Sequence, residues 1–270
     1  MATNNIEASI ACLAVIVFFC EVARRVVLKI TSKRYYEGLL MEIISTFQLC
    51  ACTHELKLLG DYGIVDQQIG LTLTYVMTVV HLLTFRTATS NPSASLEQIY
   101  RRKLSVKSAI LRIACQFLSA AVAKLVMHFT WSFAFSELHL RHSRTGLECV
   151  SGLHTSSVYN GAAVEFCCAF AVHSAVIKIQ QLKAKYRVCF IAGVITFVVF
   201  AGLGPLTGAV FNPALAFSIQ FPCRGNTFLE NVIVYGLGPM LGMISSVLLF
   251  DKAIPTLVKR VGRKPVLKTE

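Results

Sequence analysis

The sequence predicts an all-α membrane protein with six transmembrane helices, two re-entrant half-helices in an inverted repeat, and an extra N-terminal hydrophobic segment. Three observations predict this fold class. The 270-residue chain is 55% hydrophobic and 15% charged, with a mean hydropathy of +0.62, which is too apolar for a soluble globular domain. Apolar runs of helix length recur along the chain. Two shorter apolar segments each begin at an Asn-Pro pair.

Seven apolar runs are long enough to form membrane-crossing helices, and they cover residues 8–30, 36–59, 69–88, 108–135, 158–179, 187–205 and 229–250. Two further apolar segments, 91–100 and 212–221, are too short to cross about 30 Å of hydrocarbon. The long runs are therefore the candidate spans, and the two short segments are the candidate half-helices.

The net charge of +12 comes from basic residues in short segments between the apolar runs. Such clusters mark the cytoplasmic side of a membrane protein and contact lipid headgroups. No basic–aromatic stripe typical of single-strand binding is present, so we expect the lipid bilayer as a partner and no nucleic acid. Four such clusters are present, at residues 24–34, 101–107, 178–187 and 259–264. All four lie on the cytoplasmic side if runs two to seven each cross the membrane and each half-segment returns to the side from which it enters.

The first apolar run, residues 8–30, is not needed by the six-span scheme, and Glu21 interrupts it. It is either a seventh span with the N-terminus outside or an interfacial amphipathic helix. A cleaved signal peptide is disfavoured because no basic segment precedes the run.

The two halves of the chain repeat the same order of signals. Glu42 lies 49 positions before Asn91, and Glu165 lies 47 positions before Asn212. Each half holds three spans and one half-segment. Because three is odd, the second half enters from the opposite side, which defines an inverted repeat with its functional interface at the bilayer midplane. The expected divisions are an N-terminal hydrophobic segment and basic linker (1–35), the first repeat (36–135), a lumenal or extracellular loop (136–157), the second repeat (158–253) and a basic cytoplasmic tail (254–270).

The stretches Asn91-Pro92-Ser93 and Asn212-Pro213-Ala214 are predicted helix starts inside the membrane. Asn suits the cap position and Pro suits the first helical turn. Two such N-termini at the midplane place two positive dipole ends together. A passing water can accept hydrogen bonds from both Asn amides, whereas cations and protons meet an electrostatic barrier. The hydroxyl of Ser93 is expected to bond locally to the backbone.

Glu42 and Glu165 are carboxylates within predicted spans, where such groups are costly unless they are hydrogen-bonded or paired. We expect them to accept backbone donors of the re-entrant loops and to hold those loops in place. No Lys or Arg within the spans of the same repeat is expected to pair with them. The alternative is a proton-relay role in a coupled transporter.

The remaining reactive residues predict no metal, cofactor or catalytic site. Most of the ten Cys lie in apolar runs, where a thiol behaves as a small hydrophobe. His139, His142 and His154 lie in the loop 136–157 without zinc-site spacing, and we expect a solvated loop. No Ser-His-Asp arrangement or phosphate loop is apparent, so enzymatic activity is not expected.

Residues 207–214 read Thr-Gly-Ala-Val-Phe-Asn-Pro-Ala, which resembles the second signature box of the aquaporin (major intrinsic protein) family. The first box is Asn-Pro-Ser, and Cys223 lies nine positions beyond Ala214. This pairing resembles the unorthodox aquaporin-11/aquaporin-12 subfamily, and the resemblance covers residues 36–253. The stretches 52–56 and 204–207 also resemble this subfamily, and three stretches look nearest to aquaporin-12: 20–25, 91–96 and 234–239.

The resemblance also implies a selectivity filter, and here this chain departs from the orthodox pattern. Orthodox aquaporins carry Arg directly after the second Asn-Pro-Ala, where this chain has Leu215. The other filter positions fall on Phe200, on Ala209, and at or beside Leu71. Such a filter is apolar, and narrow apolar constrictions can dewet. Ala216 stands where glycerol-conducting relatives carry Asp.

The resemblance implies a passive channel for water or small neutral solutes, with glycerol and hydrogen peroxide among the candidates. It also implies a homotetramer with one pore per subunit in an intracellular membrane such as the endoplasmic reticulum. Two alternatives stay open: a non-conducting protein with a structural role in organelle membranes, and a proton-coupled transporter. The topology places Cys149 and Cys223 on the same lumenal or external side, so pairing between them is an option in an oxidising compartment.

Overall fold

The computed structural model describes residues 2–146, 148–200 and 204–261, and these residues are mainly helical, with no strand among them. The first seven helices are α1 (Ala2–Ile30), α2 (Arg34–Asp61), α3 (Gln67–Thr84), α4 (Pro92–Tyr100), α5 (Val106–Ser132), α6 (Glu137–Arg144) and α7 (Val158–Lys178). A 3₁₀ turn at Ile179–Gln181 precedes α8 (Ala184–Val198), α9 (Gly204–Thr207), α10 (Pro213–Gln220) and α11 (Phe228–Asn231). The last helical run passes through π-helical turns at Val232–Leu237 and Leu249–Ala253, which flank α12 (Gly238–Leu248), and ends in α13 (Ile254–Val261).

The helices have the length and composition of a multi-span membrane protein. Within the described residues, 4 helical segments are long and apolar enough to cross a bilayer: Asn4–Ile30, Val106–Ser132, Val158–Lys178 and Phe228–Val258. The predicted second, third and sixth runs also form helices, which are α2, α3 and α8. The all-α membrane fold class predicted from the sequence is confirmed.

The two half-helices, α4 and α10, have 9 and 8 residues, and each touches both halves of the chain. Helix α4 packs against α5 of the first repeat and α12 of the second, whereas α10 packs against α2 and α5 and also contacts the π-helical turn before α12. The long helices pair as α2 with α5 and as α7 with α12, and α3 packs against α8. This arrangement brings the N-termini of the two half-helices to the centre of the bundle.

Helices α7 and α12 approach closely because glycines line their contact. A Cβ atom on Gly238 would lie 2.8 Å from the Ala162 carbonyl oxygen, and one on Gly242 would clash with the Phe166 carbonyl. These two glycines therefore serve packing, as small residues do between membrane helices.

Helix α1 lies antiparallel along α2 and reaches both ends of the bundle. Its Leu13 packs against Cys52 of α2 and Met77 of α3. At one end Ser9 donates a hydrogen bond to Glu55 near the C-terminus of α2. At the other end Glu21 accepts from Arg86, which follows α3, at 3.1 Å. By length and composition this helix is able to cross a bilayer, as in the first of the two interpretations left open for this segment.

The connecting segment 136–157 is not entirely a loop, because it contains the two-turn helix α6. Ser136 caps this helix by accepting the backbone N–H of His139 at 3.3 Å. At the other end of the chain, α13 covers the first part of the predicted basic tail. The tail residues Arg263 and Lys264 lie outside the described part of the chain.

Candidate functional site

Two buried carboxylates hold the loops that lead into the half-helices. Glu42 accepts the backbone N–H groups of Thr89 and Ser90, both at 2.9 Å. Glu165 accepts those of Val210 and Phe211 at 3.0 and 2.6 Å. Both carboxylates are completely buried. In each repeat, therefore, the two residues directly before Asn-Pro are fixed by one glutamate.

Both half-helices begin with an Asn cap followed by Pro. The Asn91 Oδ1 atom accepts the backbone N–H of Ser93 at 2.9 Å. The Asn212 Oδ1 atom accepts those of Ala214 at 3.1 Å and Leu215 at 3.4 Å. Pro92 and Pro213 occupy the first turn, where a missing N–H leaves no gap. The side-chain oxygens of the two Asn residues thus cap the helices, and their side-chain amide nitrogens take no part in the capping.

The two Asn amide groups cross over and bind the opposite loop. Asn212 Nδ2 donates to the Ser90 carbonyl at 2.7 Å, and Asn91 Nδ2 donates to the Phe211 carbonyl at 3.4 Å. The two helix N-termini are therefore in direct contact across the repeat interface. Their partial positive charges meet at this point, and each amide nitrogen retains a second N–H donor.

The residue before each Asn has a left-handed backbone. Ser90 has a φ of 51° and Phe211 a φ of 39°, values that are uncommon for residues with a side chain. This conformation turns each carbonyl toward the opposite Asn while the N–H stays bound to glutamate. Local strain of this kind persists where surrounding contacts fix the backbone, and here the buried carboxylates provide them.

The four filter candidates have different packing neighbours. The Phe200 ring lies against α3, with Cζ 3.6 Å from where a Cβ atom of Gly70 would be, next to Leu71. Ala209 is buried against the cluster that contains Val198. Leu215, on the first turn of α10, packs on two apolar clusters, one centred on α2 and α5 and the other on α10 and Val234. All four side chains are hydrocarbon.

Two expectations about the first repeat need correction, one at Ser93 and one at Glu42. The buried Ser93 hydroxyl has no hydrogen-bond partner among the described residues, so it makes no local backbone bond; its own N–H is already taken by Asn91. Glu42 does have a cation nearby, because Arg112 Nη1 on α5 lies 3.5 Å from Glu42 Oε1. Gln116, one turn further along α5, donates to Glu42 Oε2 at 3.0 Å.

The sequence interpretation missed a third buried carboxylate with several hydrogen-bond partners, Glu55 on α2. It accepts hydrogen bonds from Ser9 of α1, from Trp131 Nε1 at 2.8 Å, and binds His139 Nε2 at 2.9 Å. His139 is only 1% exposed, and His142 on the same helix is also buried, so the expectation of a solvated histidine loop was wrong for these two residues. An acidic residue in an apolar run, as at Glu42, was the available signal.

The lumenal or external candidates Cys149 and Cys223 form a disulfide. The backbone beside it is paired as well: Arg224 N donates to the Cys149 carbonyl at 2.9 Å, and Ser151 N donates to the Arg224 carbonyl at 2.8 Å. The connecting segment is therefore fastened to the chain just beyond α10. Among the residues that the structure describes, no group of three His, Cys, Asp or Glu is placed to hold a metal ion.

Comparison with known proteins gives a consistent family. A protein-family model described as "Major intrinsic protein" matches residues 55–250 of this chain. Aquaporin-11 of Mus musculus is 32% identical over 249 residues, which cover 92% of this chain and 90% of that protein. Aquaporin-12 of Mus musculus is 36% identical over 245 residues, covering 89% and 84%.

The solved structures agree on the fold. The aquaglyceroporin from Plasmodium falciparum matches with a TM-score of 0.64 over 84% of this chain and 99% of that chain. Its sequence is only 14% identical, so this likeness concerns the fold alone. Together with the crossed half-helices, the matches show that this chain belongs to the major intrinsic protein (aquaporin) family.

Proposed function

We propose that this chain forms a passive membrane channel for water, small neutral solutes, or both. Its midplane lies where α4 and α10 meet, and its constriction is apolar. The proposed midplane residues are Asn91, Pro92, Ser93, Asn212, Pro213 and Ala214, and the proposed filter residues are Leu71, Phe200, Ala209 and Leu215.

The crossed Asn amides carry this proposal. One N–H of each amide is used by the opposite loop carbonyl, and the second can donate to a passing oxygen atom. A neutral solute with an acceptor oxygen gains hydrogen bonds there. A cation instead meets two donor groups and two positive helix ends, which repel it.

We assign Glu42 and Glu165 to loop support. Both carboxylates are fully buried, and each of their oxygens accepts at least one hydrogen bond from the loops. A proton-relay acid has to exchange protons with the pore. These carboxylate oxygens instead accept hydrogen bonds from backbone N–H groups, and the loss of those hydrogen bonds would release the loop. This favours a passive channel over a proton-coupled transporter.

The hydrocarbon filter favours slow water passage and leaves glycerol and hydrogen peroxide as candidate solutes. Side chains such as Leu215 and Phe200 cannot replace the hydrogen bonds that a solute gives up on entering a narrow site. The same observation supports the second candidate, a non-conducting protein of the same fold that serves organelle membrane structure.

The proposed assembly and location rest on the family and on the disulfide. We infer a homotetramer with one pore per subunit, as the subfamily resemblance implies, in an endoplasmic reticulum membrane. Disulfides persist where the compartment is oxidising, and the lumen of that organelle meets this condition on the side of Cys149 and Cys223.

The proposed function is tested by stopped-flow shrinkage of proteoliposomes under sucrose, glycerol and hydrogen peroxide gradients, with and without a pH gradient. Permeability to water or to one of the solutes above that of empty liposomes, and independent of the pH gradient, is expected. Permeability equal to that of empty liposomes throughout would support the non-conducting candidate. Dependence on the proton gradient would favour the transporter.

The Leu215→Arg variant tests the filter. We expect the new guanidinium group to change solute selectivity and to strengthen the exclusion of cations, because Arg in a narrow pore supplies hydrogen bonds and a positive field. The matched control Leu215→Met keeps an apolar side chain of similar volume and should conduct like the parent. Unchanged selectivity in Leu215→Arg would show that this residue does not line the pore.

A further inference from the structure

A cavity lies at the bundle end that carries α6 and the disulfide. Its volume is about 460 Å³, and its walls are the C-terminal ends of α2 and α5, helix α6, residues 145, 148–152 and 154, and residues 219 and 224. The described lining residues include none of the midplane or filter candidates. A cavity of this size suits a small organic molecule.

The charges of the cavity leave one cation without a counter-ion. Lys57 pairs with Asp61 at 2.5 Å, and Arg224 pairs with Glu148 at 2.6 Å, so these four charges compensate one another. Lys124 on α5 has no carboxylate within 4.0 Å in the described chain. Its ammonium group donates one hydrogen bond, to the Phe221 carbonyl at 3.0 Å, which leaves two N–H donors for another partner.

Imidazole rings surround the indole of Trp131 on the cavity wall. Its ring centroid lies 4.9 Å from that of His142 and 5.8 Å from those of His54 and His128. Burial lowers the pKa of His142, so its neutral imidazole adds a ring face and hydrogen-bonding nitrogen atoms. Planar faces of this kind stack on a flat ligand.

We infer that this cavity binds a small organic anion, with its carboxylate or other acidic group at Lys124 and its planar part against the half-buried imidazole of His128, which stacks on Trp131. The charge selects an anion, since a neutral ligand can accept a hydrogen bond from the ammonium group but leaves its charge uncompensated. The rings select a flat ligand rather than a compact inorganic ion. Binding at this site does not depend on conduction through the pore.

Trp131 is the single Trp of the chain and reports on the cavity directly. The purified full-length protein in detergent is titrated with benzoate and, separately, with benzamide, which has the same shape without the charge. We expect a saturable change in tryptophan fluorescence with benzoate. Benzamide should bind at least about tenfold more weakly, because a charge-assisted hydrogen bond is lost.

Two variants of Lys124 and one control complete the test. Lys124→Gln should weaken benzoate binding at least about tenfold, and Lys124→Arg should restore it, because a second charge-assisted donor replaces the first. Ser93→Ala, in the proposed pore, should bind like the parent. No saturable change in the parent protein, or equal binding by the parent and Lys124→Gln, would overturn the inference.

If Lys124→Gln does not fold, His128→Asn provides an independent test. The His128 side chain makes no hydrogen bond within the described residues, so its replacement removes the ring face that the ligand would use and the ring's own contact with Trp131. Benzoate binding several-fold weaker than in the parent is expected, by about the contribution of one aromatic contact. Unchanged binding would contradict the placement of the ligand against these rings.

Discussion

The two repeats hold their half-helices with the same glutamate contact but with different surroundings. Glu42 and Glu165 both accept two consecutive loop N–H groups. Around Glu42 the further partners are the Thr89 hydroxyl of the same loop, at 3.1 Å, and Gln116 and the nearby Arg112 of another helix. Around Glu165 the further partner is the Thr207 hydroxyl at 2.7 Å, just before the same loop. The loop geometry thus needs the carboxylate, whereas the charge around it can vary.

A second difference concerns buried hydroxyl groups. Four buried hydroxyls of the first repeat have no hydrogen-bond partner in the described chain. The residues at the matching positions of the second repeat have apolar or thiol side chains. The four are Ser45, Thr46, Ser90 and Ser93, and their counterparts are Cys168, Ala169, Phe211 and Ala214. Buried hydroxyls are normally hydrogen-bonded to protein or water, so the first repeat offers binding groups where the second offers hydrocarbon.

The far ends of the half-helices differ as well. The end of α4 is held by Arg101, which binds Glu97 at 2.7 Å and Asp251 at 2.8 Å. Just beyond α10, Cys223 is joined covalently to Cys149. Partly exposed ion pairs contribute little to stability, whereas a disulfide constrains the unfolded chain. The second half-helix is therefore the more firmly fastened of the two.

The largest effect is expected on breaking the disulfide. Cys149 and Cys223 are 74 positions apart, and a loop of that length predicts a loss of about 4 kcal/mol on reduction. Thermal unfolding in detergent should show a lower Tm for Cys223→Ser and for the reduced parent. Asp251→Asn, which breaks the ion pair at α4, should cost less than about 1 kcal/mol. A parent Tm that does not change on addition of reductant would contradict the prediction that the disulfide contributes more stability than the ion pair.

Neutralising the glutamates should distinguish the two loops. Glu165→Gln places an amide N–H against a backbone N–H and should cost about 3 kcal/mol. Glu42→Gln should cost less, because the Gln116 Oε1 atom has no partner among the described residues and can accept from the new amide if Gln116 turns. The Tm values of both variants measure the difference. Equal losses would mean that Gln116 gives no compensation, or that it is offset by the loss of the Arg112 ion pair.

The glycine contact of α7 and α12 should tolerate no side chain. Gly242→Ala would push Cβ into the Phe166 carbonyl, and overpacking of this kind costs about 1–3 kcal/mol. Gly193→Ala in α8 is the matched control, since no atom lies within 4 Å of its Cβ position. The Tm should fall only for Gly242→Ala. Equal Tm values would show that α7 and α12 can separate without cost.

The smallest effect is expected at Ser93. Ser93→Ala removes a buried hydroxyl without a protein partner in the described residues, so stability should be unchanged or higher by up to about 1 kcal/mol. Proteoliposomes with this variant should retain their water permeability if the hydroxyl only lines the wall. A marked loss of permeability would instead give the polar face of the first repeat a role in conduction.

Local signals in the sequence were sufficient for the half-helices. Asn91-Pro92 and Asn212-Pro213 each combine a cap residue with a first-turn residue, and α4 and α10 begin there. The helix α6 was missed because it is short and polar, so no apolar periodicity marks it. The contact of Glu42 with Arg112 depends on how α2 and α5 are rotated about their axes, which sequence spacing alone does not specify.

The attachments of α1 have a consequence for how the chain is assembled during synthesis. Arg24 is completely buried and donates to Gln48 at 2.6 Å, while Asn5 accepts from the backbone of Leu138 at 3.1 Å. Both partners follow α1 in the chain, and Leu138 is translated more than a hundred residues later. The first hydrophobic segment therefore leaves the ribosome long before its polar groups can be satisfied. Its final docking is a late step in folding, and it completes only after α6 has been made.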